Sequence, residues 1–580
     1  MEGPTGTPRT RDQRARSPED GPPTWGASLP WRPLSSWLAD RAVTGQGYQP
    51  WSLGQGRSKQ GYDLPPVPES AWTAAPSRRR AWISRGILFG VLVLQATLSL
   101  RLRNTAFEDE ALYLYAGHLE LDQLLGGPAA PEQFAAYFSG APALYPVLAA
   151  AVDSIFGLTG ARLLSLAFML AATALLCSLT RLLFNERVAL CAAAAFAITQ
   201  STLFLGNFAT YDAPAICLLT LASWIVVRTA HLRGWVACVA GAPVLGLAVA
   251  VKYAALMYVP TVTILAVMAA LPRRGPWALT RGLALPAVTG AVIAGALRVA
   301  GGDHLLALRT TTTQRAAGTA DPRELLLDCL EWGGPMFAVA VLGTVLYVRQ
   351  GRMGEVPGMN DAAVPGRIWR LCLGGVLCGT ALLAPAYQVY LHTGVSLHKH
   401  IGYGLLFAAP MAGIGMNRLV GAHFRNPQLG ILVWVTLLVL GMTQSQALYQ
   451  AWADSDRIVA ALRPEVRPGG RYLVEANSVA RYYLREKTRP EQWTSTYAIA
   501  YTNREGERLS GEAGFRAAIA DGYFDVIVLD RTVTKALDDR LYELLRKSPK
   551  YRLRTTVPFR NSNGTGTYRI WVKGATGDRP

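Results

Sequence analysis

The chain has 580 residues, of which 51% are hydrophobic, and the apolar residues are concentrated in repeated runs of about 20, which excludes an ordinary water-soluble protein. The formal charge is +18, from 57 basic and 39 acidic residues. Much of the basic excess lies in short loops between apolar runs and in the N-terminal segment, so it indicates orientation in a membrane and excludes nucleic-acid binding as the explanation of the charge.

The first 80 residues are rich in Pro, Gly, Ser and Arg and carry no apolar period. This composition predicts that residues 1–80 form a disordered tail. The segment lacks the apolar core and cleavage site of a signal peptide. Arg78 to Arg80 precede the first apolar run and predict a cytoplasmic N-terminus.

Residues 81–447 are predicted to form a polytopic α-helical membrane domain with about 11–13 transmembrane helices. The apolar runs that predict spans are 84–101, 160–181, 188–207, 212–230, 234–251, 253–271, 283–301, 335–349, 370–390, 401–417 and 428–447.

The segment 142–158 decides between the alternatives for the number of spans. It is apolar, but it contains Pro142, Pro146 and Asp153. Counting it as a crossing would turn every later basic loop outward, against the positive-inside rule. We therefore expect a juxtamembrane or partly inserted helix, with the polar loops of interest all on the outer face.

Residues 448–580 are charged and alternate in hydrophobicity, which predicts a small extracytoplasmic α/β domain. Asn563 and Gly564 predict a hairpin turn between the last two strands. The predicted strands are 471–475, 524–529, 551–557 and 567–572, and the predicted helices are 476–486, 513–521 and 534–547.

Three consecutive acids lie within Phe107–Tyr113, directly after the first apolar run. Two of them, Asp109 and Glu110, cannot face the same way on a regular helix. One can face a cavity as a general base while the other caps the helix. The structural alternative is that both are helix-start acids, which the macrodipole favours.

This motif, aromatic-acid-Asp-Glu-Ala-x-Tyr after a first span, resembles the first outer loop of GT-C glycosyltransferases, which include the protein O-mannosyltransferases and the aminoarabinose transferase of lipid A. The resemblance extends over roughly residues 84–420. Its further segments are Pro142–Pro146, Gly160–Ser165, Tyr211-Asp212-Ala213 and Gly246–Ala254.

The resemblance implies a GT-C fold and transfer of a sugar from a polyprenyl-phosphate carrier to a cell-envelope acceptor, at the outer face of a bacterial plasma membrane. Asp109 would be the catalytic carboxylate, Glu110 its neighbour in the motif, and Asp212 a second acid in the same cavity. Before Pro142 the lipid A transferases carry an acid–Lys pair, where this chain has Ser139 to Ala141. That departure leaves the acceptor class open.

A lipid-phosphate leaving group needs cations, and the outward-facing candidates are Lys252, His398, Lys399 and His400. Lys252 could instead snorkel to the surface. The two histidines could bind a metal together with His392, although the ligand set is weak. We predict no metal residue, and the use of a divalent ion stays open.

The tyrosines that flank the histidine run are expected in the interfacial belt rather than stacked on a sugar or carrier lipid; they are Tyr387, Tyr390 and Tyr403. Two other functions compete with sugar transfer. A lipid or sugar transporter would require internal repeats and midplane charges, and the sequence shows no repeat. A non-catalytic subunit of a polysaccharide assembly complex fits the same composition.

Overall fold

A computed structural model describes residues 78–349, 366–421 and 427–574. Of the predicted disordered tail, residues 1–77 lie outside this described part, and the remaining three begin the first helix. The helices before the C-terminal region are α1 (Arg78–Leu100), α2 (Glu108–Leu124), α3 (Tyr145–Leu183), α4 (Glu186–Ala197), α5 (Gln200–Leu205), α6 (Asp212–Arg228), α7 (Gly234–Val251), α8 (Val259–Arg274), α9 (Leu279–Ala300), α10 (Gly302–Thr311), α11 (Pro322–Arg349), α12 (Arg367–Gly379), α13 (Leu383–Tyr390), α14 (Leu397–Val420) and α15 (Pro427–Tyr449).

Seven helical stretches in the described part are long and apolar enough to cross a membrane, which confirms the polytopic helical class. Four further predicted spans take another form. The run 234–251 corresponds to α7, of which Val239–Val251 is a shorter apolar helix. The run 188–207 is divided into α4 and α5, 212–230 corresponds to the 17-residue α6, and 401–417 lies inside the buried α14. The seven stretches are Ala81–Leu100, Tyr145–Leu183, Tyr253–Pro272, Gly275–Ala300, Pro322–Arg349, Arg367–Tyr390 and Pro427–Tyr449.

The segment 142–158 and the following span belong to one long helix, α3, which is broken at Gly157. That glycine has φ 66° and ψ −170°, a conformation that favours glycine. Ile155 and Phe156 beside the break are 74% and 70% exposed. The part of α3 before Gly157 is therefore a separate piece of helix, and its place beside the membrane stays a prediction.

Helix α14 lies at the centre of the helical region, and glycines let its neighbours approach closely. A Cβ on Gly413 would lie 2.4 Å from the Val188 oxygen of α4. A Cβ on Gly415 would lie 2.4 Å from the Val339 oxygen of α11. These backbone contacts hold α14 between α4 and α11, so the N-terminus of α14 has a defined position.

The C-terminal region is a three-layer α/β structure. Its sheet has the order β2-β1-β5-β7-β6, parallel across its first three strands and antiparallel across the others. The predicted hairpin joins the last two strands. The elements are α16 (Asp456–Leu462), β1 (Tyr472–Val474), α17 (Asn477–Tyr483), β2 (Trp493–Thr494), β3 (Ala500–Thr502), β4 (Arg508–Ser510), α18 (Gly511–Asp521), β5 (Val526–Leu529), α19 (Lys535–Lys547), β6 (Tyr551–Asn561) and β7 (Gly564–Lys573).

Side chains alternate between the two faces of this sheet because β-strand residues point to opposite sides. On one face Val526 and Val528 pack with Leu462 of α16. On the other face Ile527 packs with Phe515 of α18 and with α19. The sheet therefore has a hydrophobic core on each side.

Helix α17 joins this region to the start of α2. The Tyr483 hydroxyl accepts a hydrogen bond from the Ala106 amide (2.9 Å), and the Tyr482 hydroxyl donates to Asp153 (2.6 Å). Arg481 pairs with Glu132 at 2.5 Å. The acidic motif therefore begins against a folded scaffold, not in a free loop.

Candidate active site

Four charged side chains from separate elements meet at one end of the helical region. Asp109 lies in the first turn of α2 and Asp212 begins α6. Lys252 follows the last residue of α7, and Lys399 lies in the first turn of α14. We call these four residues the acid–base cluster. Each of the four residues lies in the first turn of a helix or directly after its last residue. Their charges therefore do not interrupt the apolar part of a helix.

The first ion pair of the cluster joins Lys399 Nζ to Asp109 Oδ2 at 2.6 Å. The Lys399 side chain is 2% exposed and the Asp109 side chain 44%, so the cation is buried and the acid is partly buried. Lys399 also lies over the ring of Phe208 at 5.5 Å. Burial raises the pKa of Asp109, but the Lys399 ammonium outweighs it and lowers the pKa below its ordinary value. Asp109 is therefore ionised.

The second pair joins Lys252 Nζ to Asp212 Oδ1 at 3.8 Å, and both side chains are nearly inaccessible. Asp212 also accepts hydrogen bonds from the Tyr403 hydroxyl (3.0 Å) and the Thr210 hydroxyl (3.1 Å). Tyr403 is fully buried, so the expectation that it lies in an interfacial belt is wrong. Lys252 does not snorkel, because its ammonium is held inside the structure.

Ser139, where the sequence departs from the lipid A transferase pattern, contacts the cluster directly. Lys252 Nζ donates to Ser139 Oγ at 2.8 Å. The Tyr253 amide donates to the Ser139 carbonyl at 2.8 Å. A Cβ on Gly140 would lie only 2.0 Å from the Val251 oxygen, so this close approach requires glycine. The loop thus positions Lys252 with a neutral partner.

Glu110 turns away from the cluster, as the helix geometry of adjacent residues predicts. Its carboxylate binds Arg162 through two hydrogen bonds, of 2.9 and 2.7 Å. It also accepts the amides of Ala209 (2.8 Å) and Phe107 (3.1 Å). The structure therefore brings Asp109 and Asp212 into one site and places Glu110 as a cap at the start of α2, fully occupied by its partners.

The two histidines of the predicted cation run have different surroundings. The His398 ring packs against Phe204 (centroids 5.0 Å apart) and Trp332 (6.1 Å). The His400 Nδ1 atom contacts the amide nitrogen of Gln388 at 3.0 Å. The positive charge of Lys252 and the negative charge of Asp212 both act on the His400 ring, with opposite effects. His400 thus borders the acid–base cluster, and His398 lies in an aromatic pocket next to it.

Two further residues of the site were not among our predicted site residues. Burial and the neighbouring Asp109 charge raise the pKa of Glu108 to about 7, and its Oε2 atom is buried without a hydrogen-bond partner among the described residues. Arg315, in the loop after α10, adds a positive charge that acts on Lys252 and His400. Glu108 could have been predicted from the sequence, because it belongs to the acidic triplet. For Arg315 the only indication was its position in a long loop that was predicted to lie outside.

A possible metal group of a different kind lies in the C-terminal region. Within the described ranges, Glu475, Asp530 and Asp538 form the one set of three such ligand atoms within 4.8 Å of one another. Glu475 already accepts four backbone amides from residues 530–534. Burial and the Glu475 charge raise the pKa of both aspartates. The hydrogen bonds of Glu475 therefore give these three carboxyl groups a structural role, which is to fix the loop 530–534.

Comparison with known proteins gives one match to a family model and several structural likenesses. Residues 141–297 match the family described as dolichyl-phosphate-mannose-protein mannosyltransferase. The predicted GT-C resemblance is confirmed. The match contains Asp212, Lys252 and the α3 segment, and it ends before Lys399. No curated protein sequence matches the chain.

Three solved structures illustrate the likeness. An oligosaccharyltransferase of Archaeoglobus fulgidus is 13% identical, with 82% of this chain and 72% of the other covered and a TM-score of 0.44. ArnT from Cupriavidus metallidurans, bound to undecaprenyl phosphate, is 13% identical over 86% and 99% of the two chains, with a TM-score of 0.39. The arabinofuranosyltransferase AftD from Mycobacteria is 14% identical over 87% and 40%, with a TM-score of 0.41.

Proposed function

We propose that this chain is a membrane glycosyltransferase of the GT-C type, which moves a hexosyl or pentosyl group from a polyprenyl-phosphate carrier to a cell-envelope acceptor. The observation that carries the proposal is the acid–base cluster: two acids and two buried cations from four elements, next to apolar helices. Buried charges are costly in such a place, so their convergence indicates chemistry.

In the proposed reaction an acceptor hydroxyl attacks the anomeric carbon of the donor sugar. The bond from that carbon to the phosphate oxygen breaks, and the electron pair leaves with the polyprenyl phosphate. Lys399 holds Asp109 Oδ2. We therefore assign Oδ1 of Asp109 as the atom that accepts the acceptor proton. A single base and direct displacement invert the anomeric configuration.

The leaving phosphate gains negative charge as the bond breaks, and positive groups near it stabilise the transition state. Lys252, Lys399 and Arg315 supply that charge, and His400 borders them. Burial lowers the pKa of Lys252, and Asp212, paired with it at 3.8 Å, opposes that shift and favours the charged form. The cluster therefore has both parts that the reaction needs, a base for the acceptor and cations for the donor phosphate.

We place the cluster at the outer face of a plasma membrane, with the N-terminus in the cytoplasm and the C-terminal region outside. Basic loops between the apolar runs support this orientation. Reporter fusions in the segment 206–211 between α5 and α6 and in the C-terminal region are the test, because a cytoplasmic signal from either would overturn the placement.

The first experiment is sugar transfer in purified membranes with a panel of labelled polyprenyl-phosphate sugars. We expect transfer from one donor by the wild-type chain and its loss in Asp109→Asn. Asp122→Asn, an exposed acid in the same helix, is the matched control and should retain activity. Equal products from Asp109→Asn and wild type would support the assembly-subunit alternative instead.

A further inference from the structure

Gln388 and His400 form a buried hydrogen-bonded chain that the sequence did not predict. Gln388 is 1% exposed and lies in α13. Its amide nitrogen contacts two atoms, the Val395 carbonyl oxygen at 3.2 Å and His400 Nδ1 at 3.0 Å. The side-chain oxygen of Gln388 has no partner among the described residues.

The direction of each hydrogen bond follows from the first contact. A carbonyl oxygen can only accept, so the Gln388 atom facing Val395 must be the NH2 group. The same NH2 group faces His400 Nδ1 and donates its second hydrogen there. His400 Nδ1 is therefore the acceptor nitrogen of a neutral ring, and the ring proton resides on Nε2.

That Nε2–H group is buried and has no hydrogen-bond partner in the described part of the chain. The Tyr258 hydroxyl donates to the backbone carbonyl of His400 at 3.5 Å, and the His400 ring lies edge-on to that of Tyr403 with the centroids 6.1 Å apart. A buried donor without an acceptor costs about 1–3 kcal/mol, so such groups are rare unless a ligand completes them.

The charges around His400 indicate the kind of ligand. Lys252, Lys399 and Arg315 are positive and Asp212 is negative, and all four act on the ring. Asp109, which pairs with Lys399 at 2.6 Å, is the second acid of this surrounding. Three cations against two acids leave it net positive, so an anionic oxygen is the favoured acceptor for the Nε2–H group.

We propose that Gln388 is a positioning residue that fixes His400 as a neutral Nε2–H donor, and that this donor binds a phosphate oxygen of the polyprenyl-phosphate substrate. The proposal rests on the proposed function for the identity of the ligand. It differs from a cationic histidine, because protonation of Nδ1 would set an N–H group against the Gln388 amide.

The tautomer is measured without any enzyme assay, by nitrogen NMR of the purified chain labelled with ¹⁵N-histidine, with His400→Gln used to assign the signal. We expect a protonated Nε2 and an unprotonated Nδ1 in the wild type. Gln388→Glu replaces the amide donor by a carboxylate acceptor and should move the proton to Nδ1. A wild-type ring protonated at Nδ1 would overturn the proposal.

Ligand binding is measured with polyprenyl monophosphate in detergent. His400→Phe keeps a ring without the donor and should weaken binding about tenfold or more, since a hydrogen bond to a charged group is lost. His400→Gln retains an NH2 group near the Nε2 position and should recover part of the affinity. His231→Phe, an exposed histidine beyond the other end of α6 from Asp212, is the matched control.

Two results separate the failure of this inference from that of the proposed function. If the wild type binds polyprenyl monophosphate and His400→Phe binds it with the same affinity, only the proposed contact between His400 and the phosphate is overturned. If the wild type itself does not bind polyprenyl monophosphate, the proposed function fails and the contact with it. The nitrogen spectrum then still decides whether Gln388 sets the tautomer.

Discussion

Removing the charge of Asp109 tests both the structure and the chemistry of the acid–base cluster. Asp109→Asn leaves the shape nearly unchanged but leaves Lys399, which is 2% exposed, without its 2.6 Å partner. At this distance and an effective dielectric constant of about 20, the Coulomb attraction is roughly 6 kcal/mol. Because the Asp109 side chain is 44% exposed, water screens much of it. We expect the free energy of unfolding to fall by about 1–3 kcal/mol.

The effect on catalysis should be larger than the effect on stability. A general base contributes about 10²–10⁴-fold in rate, and its amide cannot accept the acceptor proton. We therefore expect kcat to fall by about this factor, while the Kd for polyprenyl monophosphate changes little because Lys252 and Lys399 both remain. The assay is transfer from a labelled polyprenyl-phosphate sugar at matched protein amounts, with thermal unfolding of each purified variant.

The double variant Asp109→Asn with Lys399→Gln separates the two contributions. If the ion pair explains the lost stability, the second substitution should restore part of it, because no unpaired buried cation remains. Activity should stay low in the double variant. Wild-type kcat in Asp109→Asn, with Asp122→Asn equally active, would refute the assignment of Asp109 as the base.

Three further predictions test neighbouring parts of the structure. The pKa of Glu108 is raised to about 7, so protonation of Glu108 stabilises the folded state. This contribution to the free energy of unfolding is complete below about pH 4.5 and is lost as the pH rises through 7. Glu108→Gln should therefore flatten this part of the curve of melting temperature against pH. Glu475→Gln sets an NH2 group against backbone amides and should lower the free energy of unfolding by about 2 kcal/mol, whereas the exposed Glu491→Gln should change it by less than about 0.5. Gly140→Ala adds a Cβ 2.0 Å from the Val251 oxygen and should abolish transfer and cost about 1–3 kcal/mol, while Gly295→Ala, which has open space, should do neither. Thermal unfolding and sugar transfer from the donor measure all of these effects. Wild-type transfer and stability in Gly140→Ala would show that the loop does not position Lys252.

Local patterns in the sequence predicted the helical membrane class and most elements of the C-terminal region. Apolar runs of about 20 residues and alternating strands depend on neighbours in the chain, so a single sequence carries them. The hairpin at Asn563 was predictable for the same reason, since two adjacent residues determine the turn. The division of 188–207 into α4 and α5 was not predicted, because the whole run is apolar and the break comes at Ile198 and Thr199.

The sequence by itself determined which charged residues stand at the ends of apolar helices: Asp109, Asp212, Lys252 and Lys399. Only the tertiary structure decided how they pair. Asp109 and Lys399 are 290 residues apart in the chain, and no local pattern relates such positions. Their contact depends on α14 being held between other helices by glycine contacts. The same holds for Glu110. The motif predicted that its carboxylate belongs to the site, but its hydrogen bonds to Arg162 form only when α2 and α3 pack together.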